Sequence, residues 1–571
     1  MWPQDLDALV VGAGFGGIYQ LKKLLDQGLN VKAIDKAGDV GGTWYWNRYP
    51  GAMSDTRSFL YRYSWDHEDL VEYPWDSEYL QGPEILKYLE HVVERHHLRP
   101  HFQFGTEMLG ADWSDSERRW TVALSTGEVV KTTYLVTALG LLSRTNFPQI
   151  HNLDQFAGEL YHTAAWPRDA DLRGKRVGVI GNGSTGVQLI TALAKSEELQ
   201  QLLCFQRNPQ YTVPAGNGPV TREARKALNE NYRAVWEEAM RSKFAFGIHE
   251  TTRTTASVSA EERERIYEEA WAKGNGFCFM FETFGDISID EAANTAAADF
   301  IQRKIRAIVQ DKEKARKLCP TQWYARRPLC DSNYYEQFNR ANVDIVDIKT
   351  HPITELTPAG IKTADGRVYE LDVLICATGF DAVDGNYTRM CVRGRGGETL
   401  KDHWAETGPT SYLGMSVANF PNLFMVLGPN GPFSNQPPAI ESQVDFIAEL
   451  IARAESTAPR ATVRGPASAQ ANGFTMPEPT QAQGGSQTQE AGPGVVCRGV
   501  IEAELEAEKS WTEHCERISA DSLFRRVDSW IFGKNIPGKK AATVFYFGGL
   551  GAYRKEVRDR IEDDLRGFRV S

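Results

Sequence analysis

The sequence predicts an α/β protein in which two strand–turn–helix–strand units follow one another and the second unit is interrupted by a helical insertion. Three observations lead to this prediction. Apolar runs lead into glycine clusters at 12–17 and 181–186, and each cluster is followed by apolar residues at helical spacing. Between about 215 and 320 the sequence becomes charged and helical, with few glycines. A chain of 571 residues is long enough for several such units.

The first unit carries the pattern of a dinucleotide site. Gly12, Gly14 and Gly17 follow an apolar run at 7–11, and Asp35 follows the next apolar run. This spacing allows a tight turn that brings backbone N–H groups close to a pyrophosphate at the helix N-terminus. The acidic residue can accept hydrogen bonds from ribose hydroxyls. The unit therefore predicts an adenosine dinucleotide.

The second unit repeats the pattern but lacks the acidic residue. Gln206 and Arg207 stand at the end of its second strand. A guanidinium suits a 2′-phosphate, which a carboxylate would repel, so we expect NADPH here; a plain surface arginine is the alternative. Two such units in one chain indicate electron transfer between two cofactors, and FAD with NADPH is the commonest pair. We therefore expect two Rossmann-like dinucleotide-binding domains, with the helical insertion in the NADPH domain.

Composition excludes other classes of function. Asp and Glu number 75 against 64 Lys and Arg, so the net charge of −11 argues against nucleic acid as a partner. The longest apolar runs reach about ten residues, half a membrane span, and no targeting signal is evident, which predicts a cytoplasmic protein without membrane contact. The eight cysteines form no C-x-x-C pair. We therefore expect no metal site and no disulfide relay, which leaves oxygen or a quinone as electron acceptor. The oligomeric state stays open.

Two segments near the C-terminus differ in character. Residues 457–496 are rich in Ala, Gln, Gly, Pro, Ser and Thr and poor in large apolar residues, which predicts a flexible surface loop. A helical pattern resumes at 501–518.

A string between the two glycine clusters resembles the F-x-G-x-x-x-H-T-x-x-W-P fingerprint of Baeyer–Villiger monooxygenases. Its fixed positions are Phe156, Gly158, His162, Thr163, Trp166 and Pro167. Further stretches look like the cyclohexanone monooxygenase branch: GGTWYWNRYPGAMSDT (41–56), ALGLLS (138–143), GNGSTGVQ (181–188), FMFETFGDI (279–287), YARRPLCDSNYYEQFNR (324–340), LICATGFDAVDGNY (374–387), FMVLGPNGPFSNQPP (424–438) and SWIFGKNIPGKK (529–540). The resemblance covers almost the whole chain except residues 457–496.

The pattern and the resemblance together predict three kinds of segment beside the loop at 457–496. The FAD-binding domain takes 1–142, 380–456 and 497–571, the last with a mobile lid loop. The NADPH-binding domain takes 143–214, which includes the linker, and 324–379. The helical insertion takes 215–323.

The resemblance implies NADPH- and O₂-dependent oxidation of a ketone, typically cyclic, to a lactone or ester. In that cycle NADPH reduces FAD, O₂ forms a C4a-peroxyflavin, and the deprotonated peroxide attacks the ketone before a carbon substituent migrates. The partners would be a small ketone and O₂.

The resemblance assigns catalysis to Arg327 and Asp55. Arg327 matches the family's catalytic arginine, and its permanently charged, planar donor fork suits negative charge on the reacting oxygens. Asp55 matches an aspartate that would orient Arg327. Without the resemblance, a structural ion pair and an ordinary turn residue are the simpler interpretations.

The resemblance also implies cofactor-binding residues, most of them near the two glycine clusters. They are Gly12, Gly14, Gly17, Asp35, Lys36, Gly42, Thr43, Trp44, Trp46, Asp55, Tyr61, Met108, Gly181, Gly183, Ser184, Thr185, Gly186, Gln206, Arg207, Arg326 and Trp530. Arg326 stands where relatives often carry Lys, so the charge for a 2′-phosphate is kept. Trp530 opens a Gly- and Pro-containing segment that looks like the lid over NADP.

The substrate pocket implied by the resemblance is largely aromatic. Its residues are Phe246, Phe277, Phe279, Phe433, Ser434 and Gln436. Relatives tend to carry Thr and Leu at 434 and 436, which leaves the ketone open. In the family the fingerprint couples domain movement to catalysis, so His162 is not assigned as an acid or base.

Two other functions remain open. A flavin-containing N- or S-hydroxylating monooxygenase shares the glycine clusters but lacks the ending seen at Trp166 and Pro167. A non-catalytic dinucleotide-binding redox sensor would not require Arg327 and Asp55, whose presence argues against it.

Overall fold

The computed structural model describes residues 4–196, 198–457 and 498–571. The flexible loop predicted at 457–496 lies outside these residues except for Thr457, the last residue of a helix. That prediction therefore stays a prediction.

Eight described strands form the first sheet, whose centre is parallel. Asp5–Val11 lies between Val31–Ile34 and Val129–Thr137, and Leu423–Met425 pairs with the outer side of Val129–Thr137. These runs are almost continuously apolar because a parallel sheet is covered on both faces. The other strands are Phe102–Gln103, Met108–Ser114, Arg119–Leu124 and Cys391–Arg393.

The second sheet is formed by five described strands, all parallel. In spatial order they are Val343–Asp347, Gln201–Gln206, Arg176–Ile180, Val373–Cys376 and Glu159–His162. The edge strand Glu159–His162 belongs to the fingerprint string. The fingerprint is thus built into the sheet of the second unit.

Residues 215–323, predicted as a helical insertion, are mainly helical. Four of its helices begin at a Thr, Ser or Asp whose side chain accepts from the first-turn backbone, which fixes where each helix starts. The insertion helices are Arg222–Arg241, Ala260–Lys273, Gly276–Phe281, Glu291–Ile308 and Lys312–Leu318.

The remaining elements cover the two sheets. The α-helices are Phe15–Asp26, Thr43–Trp46, His67–Glu72, Gly82–Arg95, Ser184–Lys195, Tyr334–Gln337, Leu400–His403, Gln436–Thr457, Leu505–Ser519 and Leu550–Glu562. The 3₁₀ turns are Arg99–His101, Leu153–Gln155, Thr163–Ala165, Thr255–Ser257, Arg395–Gly397, Leu523–Arg526 and Trp530–Phe532. The short strands are Thr212–Pro214 with Leu329–Asp331, Ile353–Thr357 with Gly360–Thr363 and Val368–Glu370, Gly431–Pro432 with Phe545–Tyr546, and Ile501–Ala503 with Phe568–Val570.

The predicted fold class is confirmed, but one predicted helix start is wrong. Residues 501–503 form a strand, because they pair antiparallel with Phe568–Val570 and Ile501 donates its N–H to the Asn422 side chain at 2.8 Å. The helix begins only at Leu505.

The domain boundaries stay a prediction. Over the described ranges, no helix has both the length and the apolar character needed to cross a membrane.

Excising residues 460–495 and joining the ends with a short Gly/Ser linker should leave the FAD content and the ketone oxidation that the resemblance implies nearly unchanged. Both flanks are anchored: Arg498 forms ion pairs with Glu455 and, at 2.5 Å, with Asp7, and Tyr134 donates to the carbonyl of Gly499 at 3.3 Å. A surface loop, which the composition of this segment predicts, tolerates such changes at small entropic cost. Flavin absorbance of the purified variant is the measurement. Loss of flavin would show that the segment is structural.

Candidate active site

A cavity of about 720 Å³ opens where the central strands of the first sheet end. Val11 and Asp35 lie at its wall, at the carboxyl ends of two neighbouring parallel strands, where α/β proteins bind their ligands. Ser184 and Gln188 from the second unit line the same cavity. Both glycine units therefore border one space.

The first glycine turn is closed by contacts that tolerate no side chain. Gly12 has φ of +120°, and a methyl group there would lie 2.3 Å from the carbonyl oxygen of Ala138. A methyl group at Gly17 would lie 1.8 Å from the carbonyl oxygen of Gly12. The helix that follows starts at Gly14 without a side-chain cap, so its N-terminal N–H groups remain available to a bound phosphate.

Asp35 is held beside this turn. Its carboxylate accepts from the backbone N–H groups of Ala13 and Ala37, each at 2.7 Å. Burial raises the pKa of Asp35, and these hydrogen bonds together with the nearby Lys36 oppose the rise. Because each carboxylate oxygen can accept more than one hydrogen bond, acceptor capacity remains for a ligand.

Most residues predicted to bind the first dinucleotide lie along this cavity. Trp44 and Tyr61 meet edge to face with ring centres 5.7 Å apart. The cavity wall includes Gly12, Gly14, Asp35, Lys36, Gly42, Thr43, Trp44, Trp46, Asp55, Tyr61 and Met108. Gly17 lies behind the wall, packed on the turn. An open helix N-terminus beside flat aromatic walls fits FAD.

The structure joins Arg327 and Asp55 at the cavity. Arg327 Nη1 lies 2.7 Å from Asp55 Oδ2, and the Asp55 side chain is only 3% exposed. Burial alone would lower the pKa of Arg327, but the ion pair with Asp55 raises it above its ordinary value. Nη1 also donates to the carbonyl of Pro328 at 3.3 Å, and Nε and Nη2 have no hydrogen-bond partner among the described residues. Two donor positions of the fork are thus free for a ligand.

One aromatic contact and one amide hold this pair. The Arg327 guanidinium lies 5.2 Å from the centre of the Phe277 ring, and the Asn275 side chain donates to the Asp55 carbonyl at 3.0 Å. Asp55 Oδ1 is buried without a hydrogen-bond partner in the described part of the chain. The carboxylate therefore has one oxygen committed to Arg327 and one left over.

Gln188 connects the two units, and the sequence analysis did not single it out. It accepts from the Tyr49 hydroxyl at 2.8 Å and donates to the Met53 carbonyl at 3.0 Å. At Gly51, where φ is +83°, a methyl group would lie 2.8 Å from the Gln188 carbonyl oxygen. The only sequence signal was its position at the end of the GNGSTGVQ stretch.

The second glycine turn resembles the first in its packing. Methyl groups at Gly181 and Gly186 would lie 2.5 Å from the Ala377 carbonyl oxygen and 2.2 Å from the Gly181 carbonyl oxygen, whereas one at Gly183 would meet nothing within 4 Å. The helix Ser184–Lys195, which includes Thr185, starts without a side-chain cap. This end too is open to a phosphate.

Of the polar residues predicted at the second site, the structure places two arginines together. Burial and the charge of the nearby Arg207 lower the pKa of Arg326, and Asp528 opposes this. Arg326 donates to Gln322 at 2.6 Å, while its Nε is buried without a partner in the described residues. Gln206 instead turns inward and donates to the Lys317 carbonyl at 2.7 Å. Two adjacent cations fit an anionic group such as a 2′-phosphate.

Five of the six predicted pocket residues reach the cavity. Phe246 and Phe277 stack with centres 4.1 Å apart. Phe433, Ser434 and Gln436 lie on another part of the wall. The structure does not bring the sixth, Phe279, to the cavity.

Phe279 is fully buried inside the insertion. Its ring packs 5.3 Å from Tyr267 and 5.7 Å from Phe300. On the short helix Gly276–Phe281, positions 277 and 279 point in different directions, so only Phe277 faces the cavity.

The fingerprint string supports the second sheet and touches the cavity at its end. His162 is 3% exposed, its Nδ1 accepts from the Ala164 N–H at 3.1 Å, and burial lowers its pKa. At Gly158 a methyl group would lie 2.5 Å from the Asp372 carbonyl oxygen. Trp166 packs on Tyr161 with centres 5.7 Å apart.

The remaining fingerprint positions follow the same path. Phe156 is buried in the core beside the second sheet, Thr163 is buried in a 3₁₀ turn, and Pro167 follows Trp166. Ala164 and Ala165 line the cavity.

The segment predicted as a lid is docked beside the cavity. Trp530 lies at the cavity wall, with its ring 5.7 Å from Phe545. Lys539 forms ion pairs with Asp381 at 2.7 Å and Asp384 at 2.5 Å. This anchor, which the sequence analysis missed, ties the segment to the loop that follows the strand Val373–Cys376.

Comparisons with known proteins agree with this geometry. Residues 7–213 match the family model for flavin-binding monooxygenase-like proteins. The chain is 48% identical to a Baeyer–Villiger monooxygenase from Pseudooceanicola batsensis, covering 97% of this chain and 94% of the relative. It is 47% identical to a phenazine N-monooxygenase from Lysobacter antibioticus, and the match covers 98% of this chain and 96% of that relative. The crystal structure of a cyclohexanone monooxygenase from Rhodococcus sp. Phi1 bound to NADP⁺ is similar with a TM-score of 0.91 and 51% identity, covering 100% of both chains. Together with a cavity that both glycine units border, these likenesses show that the chain belongs to the Baeyer–Villiger monooxygenases, a family of flavoenzymes that use FAD and NADPH.

Proposed function

We propose that this protein oxidises cyclic ketones to lactones with NADPH and O₂. The observation that carries the proposal is the Arg327–Asp55 ion pair, which borders the cavity shared by both glycine units. A cationic fork at that point fits a reaction in which negative charge develops on oxygen.

Two sets of residues would hold the cofactors. The turn at Gly12 and the carboxylate of Asp35 would hold FAD, and the turn at Gly181 with Arg207 and Arg326 would hold NADPH. When bound, FAD supplies electron transfer from NADPH to O₂ and the activation of O₂.

The protein's own groups then have defined tasks. Arg327 keeps its proton throughout, because the Asp55 carboxylate raises its pKa, and its free donors would orient the ketone oxygen and stabilise charge on it. Asp55 positions the guanidinium. The docked segment carries Trp530 at the cavity wall, where it would limit the access of water and so favour product over release of hydrogen peroxide.

The cavity walls support a cyclic substrate. Phe277 lies 5.2 Å from the Arg327 guanidinium and stacks on Phe246, and Phe433 adds a flat apolar surface on another part of the same wall. Apolar walls with a few placed polar groups are typical of sites for small organic ligands.

We also propose that the protein is cytoplasmic, as the sequence predicts.

Oxygen transfer to nitrogen is a second candidate. It is favoured by the likeness to the phenazine N-monooxygenase, which matches this chain almost as closely as the Baeyer–Villiger relative. A nitrogen heterocycle would be accommodated by the same aromatic walls.

One experiment separates these functions. The FAD-loaded protein is given NADPH, O₂ and a panel of cyclic ketones, linear ketones and aromatic N-heterocycles, and both oxygen uptake and product mass are measured. We expect ketone-stimulated NADPH oxidation and lactones one oxygen heavier than the ketone. N-oxides without lactones would support the second candidate, and no stimulation by any compound would support a redox sensor.

Replacing Arg207 with Ala should weaken NADPH selectively. Charge-assisted hydrogen bonds contribute about 1.5–3 kcal/mol each, which corresponds to roughly a ten- to hundredfold rise in the dissociation constant for NADPH. NADH lacks the 2′-phosphate, so its binding should barely change. Titration of both nucleotides against the FAD-loaded protein is the measurement. Equal weakening of both would refute the phosphate assignment.

A further inference from the structure

One wall of the cavity, residues 433–436, places polar groups in an otherwise largely aromatic region. Ser434 is 6% exposed, and among the residues that the structure describes its hydroxyl makes only a long 3.4 Å hydrogen bond, to the carbonyl of Asn435. Gln436 Oε1 is buried and has no hydrogen-bond partner within the described residues. Both residues line the cavity that holds Arg327.

The orientation of the Gln436 amide is fixed by its other end. Nε2 donates to the Ser434 carbonyl at 3.0 Å. A flipped amide would place its oxygen against that carbonyl oxygen, so the hydrogen-bond network selects the observed assignment. Oε1 is therefore an acceptor without a donor.

The backbone around this amide is held from several sides. The Asn435 side chain donates to the carbonyls of Leu60 at 3.2 Å and Ala245 at 3.1 Å, and it accepts from the Thr56 hydroxyl at 3.3 Å. The Phe433 N–H donates to the Tyr546 carbonyl at 3.0 Å. The free acceptor is thus presented by a rigid wall, which makes it effective in recognition.

We infer that Gln436 selects cyclic ketones that carry a hydroxyl or N–H donor away from the reacting carbonyl. This inference rests on the proposed function and narrows its substrate class. A buried acceptor without a partner is unfavourable, and a donor on the substrate relieves this, whereas a purely hydrocarbon ring leaves it unpaired. Ser434 can assist, since its hydroxyl can both donate and accept.

The test compares 2-, 3- and 4-hydroxycyclohexanone with the matching methylcyclohexanones, in which a methyl group replaces the hydroxyl. Wild type is compared with Gln436→Met, which keeps the length of the side chain and removes the acceptor; Gln436→Leu is the second variant in case Met does not fold. Gln27→Met, at an exposed glutamine after the first helix, is the matched control. The readouts are the dissociation constant, from flavin absorbance changes of protein loaded with FAD and NADP⁺, and kcat/KM for lactone formation.

We expect the preference for hydroxyl over methyl to fall about tenfold in Gln436→Met for at least one ring position, and to stay unchanged in Gln27→Met. An unchanged preference at all three positions overturns the inference. So does a rise in the NADPH KM with unchanged preference, because the amide would then serve the nucleotide. If no ketone yields a lactone, the proposed function fails, and the dissociation constants alone then decide whether Gln436 selects ketones with a donor. If no ketone binds at all, both the proposed function and the inference about Gln436 fail.

Discussion

Arg327→Ala should purify yellow, accept electrons from NADPH and lose nearly all oxygen transfer. The glycine turn at Gly12 and the carboxylate of Asp35, which would hold FAD, are fixed by their own backbone contacts and hydrogen bonds, none of which involves Arg327. Losing one preorganised charge-stabilising donor typically costs a factor of about 10²–10³ in rate, and Arg327 offers a whole fork. Removal also leaves the Asp55 carboxylate buried and unpaired. Lactone formed per NADPH consumed is the measurement, with hydrogen peroxide counted beside it.

Arg327→Lys is the control for charge without the fork. It should recover part of the activity, because lysine restores the ion pair with Asp55 but not the planar pair of free donors. A near wild-type lactone yield from Arg327→Ala would show that another group stabilises the developing charge.

Gly17→Ala should yield protein without FAD and with a strongly lowered melting temperature. The added methyl group would lie 1.8 Å from the Gly12 carbonyl oxygen. No rotamer change can relieve this distance, because the backbone fixes the position of an alanine Cβ and the oxygen is itself a backbone atom. The helix must then move away from the strand that leads into it, and the open N-terminus loses its position at the cavity. The measurements are flavin content after purification and the thermal unfolding midpoint.

Gly183→Ala is the matched control for this change. It lies in the second glycine turn with φ of −69°, and its added methyl group meets nothing within 4 Å. It should keep FAD and stability. If Gly17→Ala also retained FAD, the close approach in the first turn would not determine cofactor binding.

Features set by local chemistry could be predicted from the sequence. The strands Val31–Ile34 and Arg176–Ile180 coincide with apolar runs in the sequence. Each run ends at glycine, Asp or another charged residue, which marks where the strand ends. The two glycine turns depend only on spacing within a few residues. The fold class follows from these units, so it was predictable.

Features that depend on residues far away in the chain could not be predicted from the sequence. Residues 501–503 have a helical pattern, but they form a strand because the C-terminal residues 568–570 pair with them. Phe279 carries an aromatic side chain in the expected stretch, yet the direction of its short helix turns it into the core. Gln188 and Lys539 matter through partners more than a hundred residues away, at Tyr49 and Asp381.

The bridge made by Gln188 has a thermodynamic consequence for the two nucleotides. Tyr49 and Met53, which hold the Gln188 amide, lie on the same short turn as Asp55. Any rotation of the second unit away from the first must break both hydrogen bonds and free this turn. A nucleotide that favours the bridged arrangement therefore also favours the bound position of Asp55. By reciprocity, occupancy of the first site must change the affinity of the second by the same factor as the second changes the first. The two dinucleotide sites of this protein thus share one coupling free energy, whichever site is filled first.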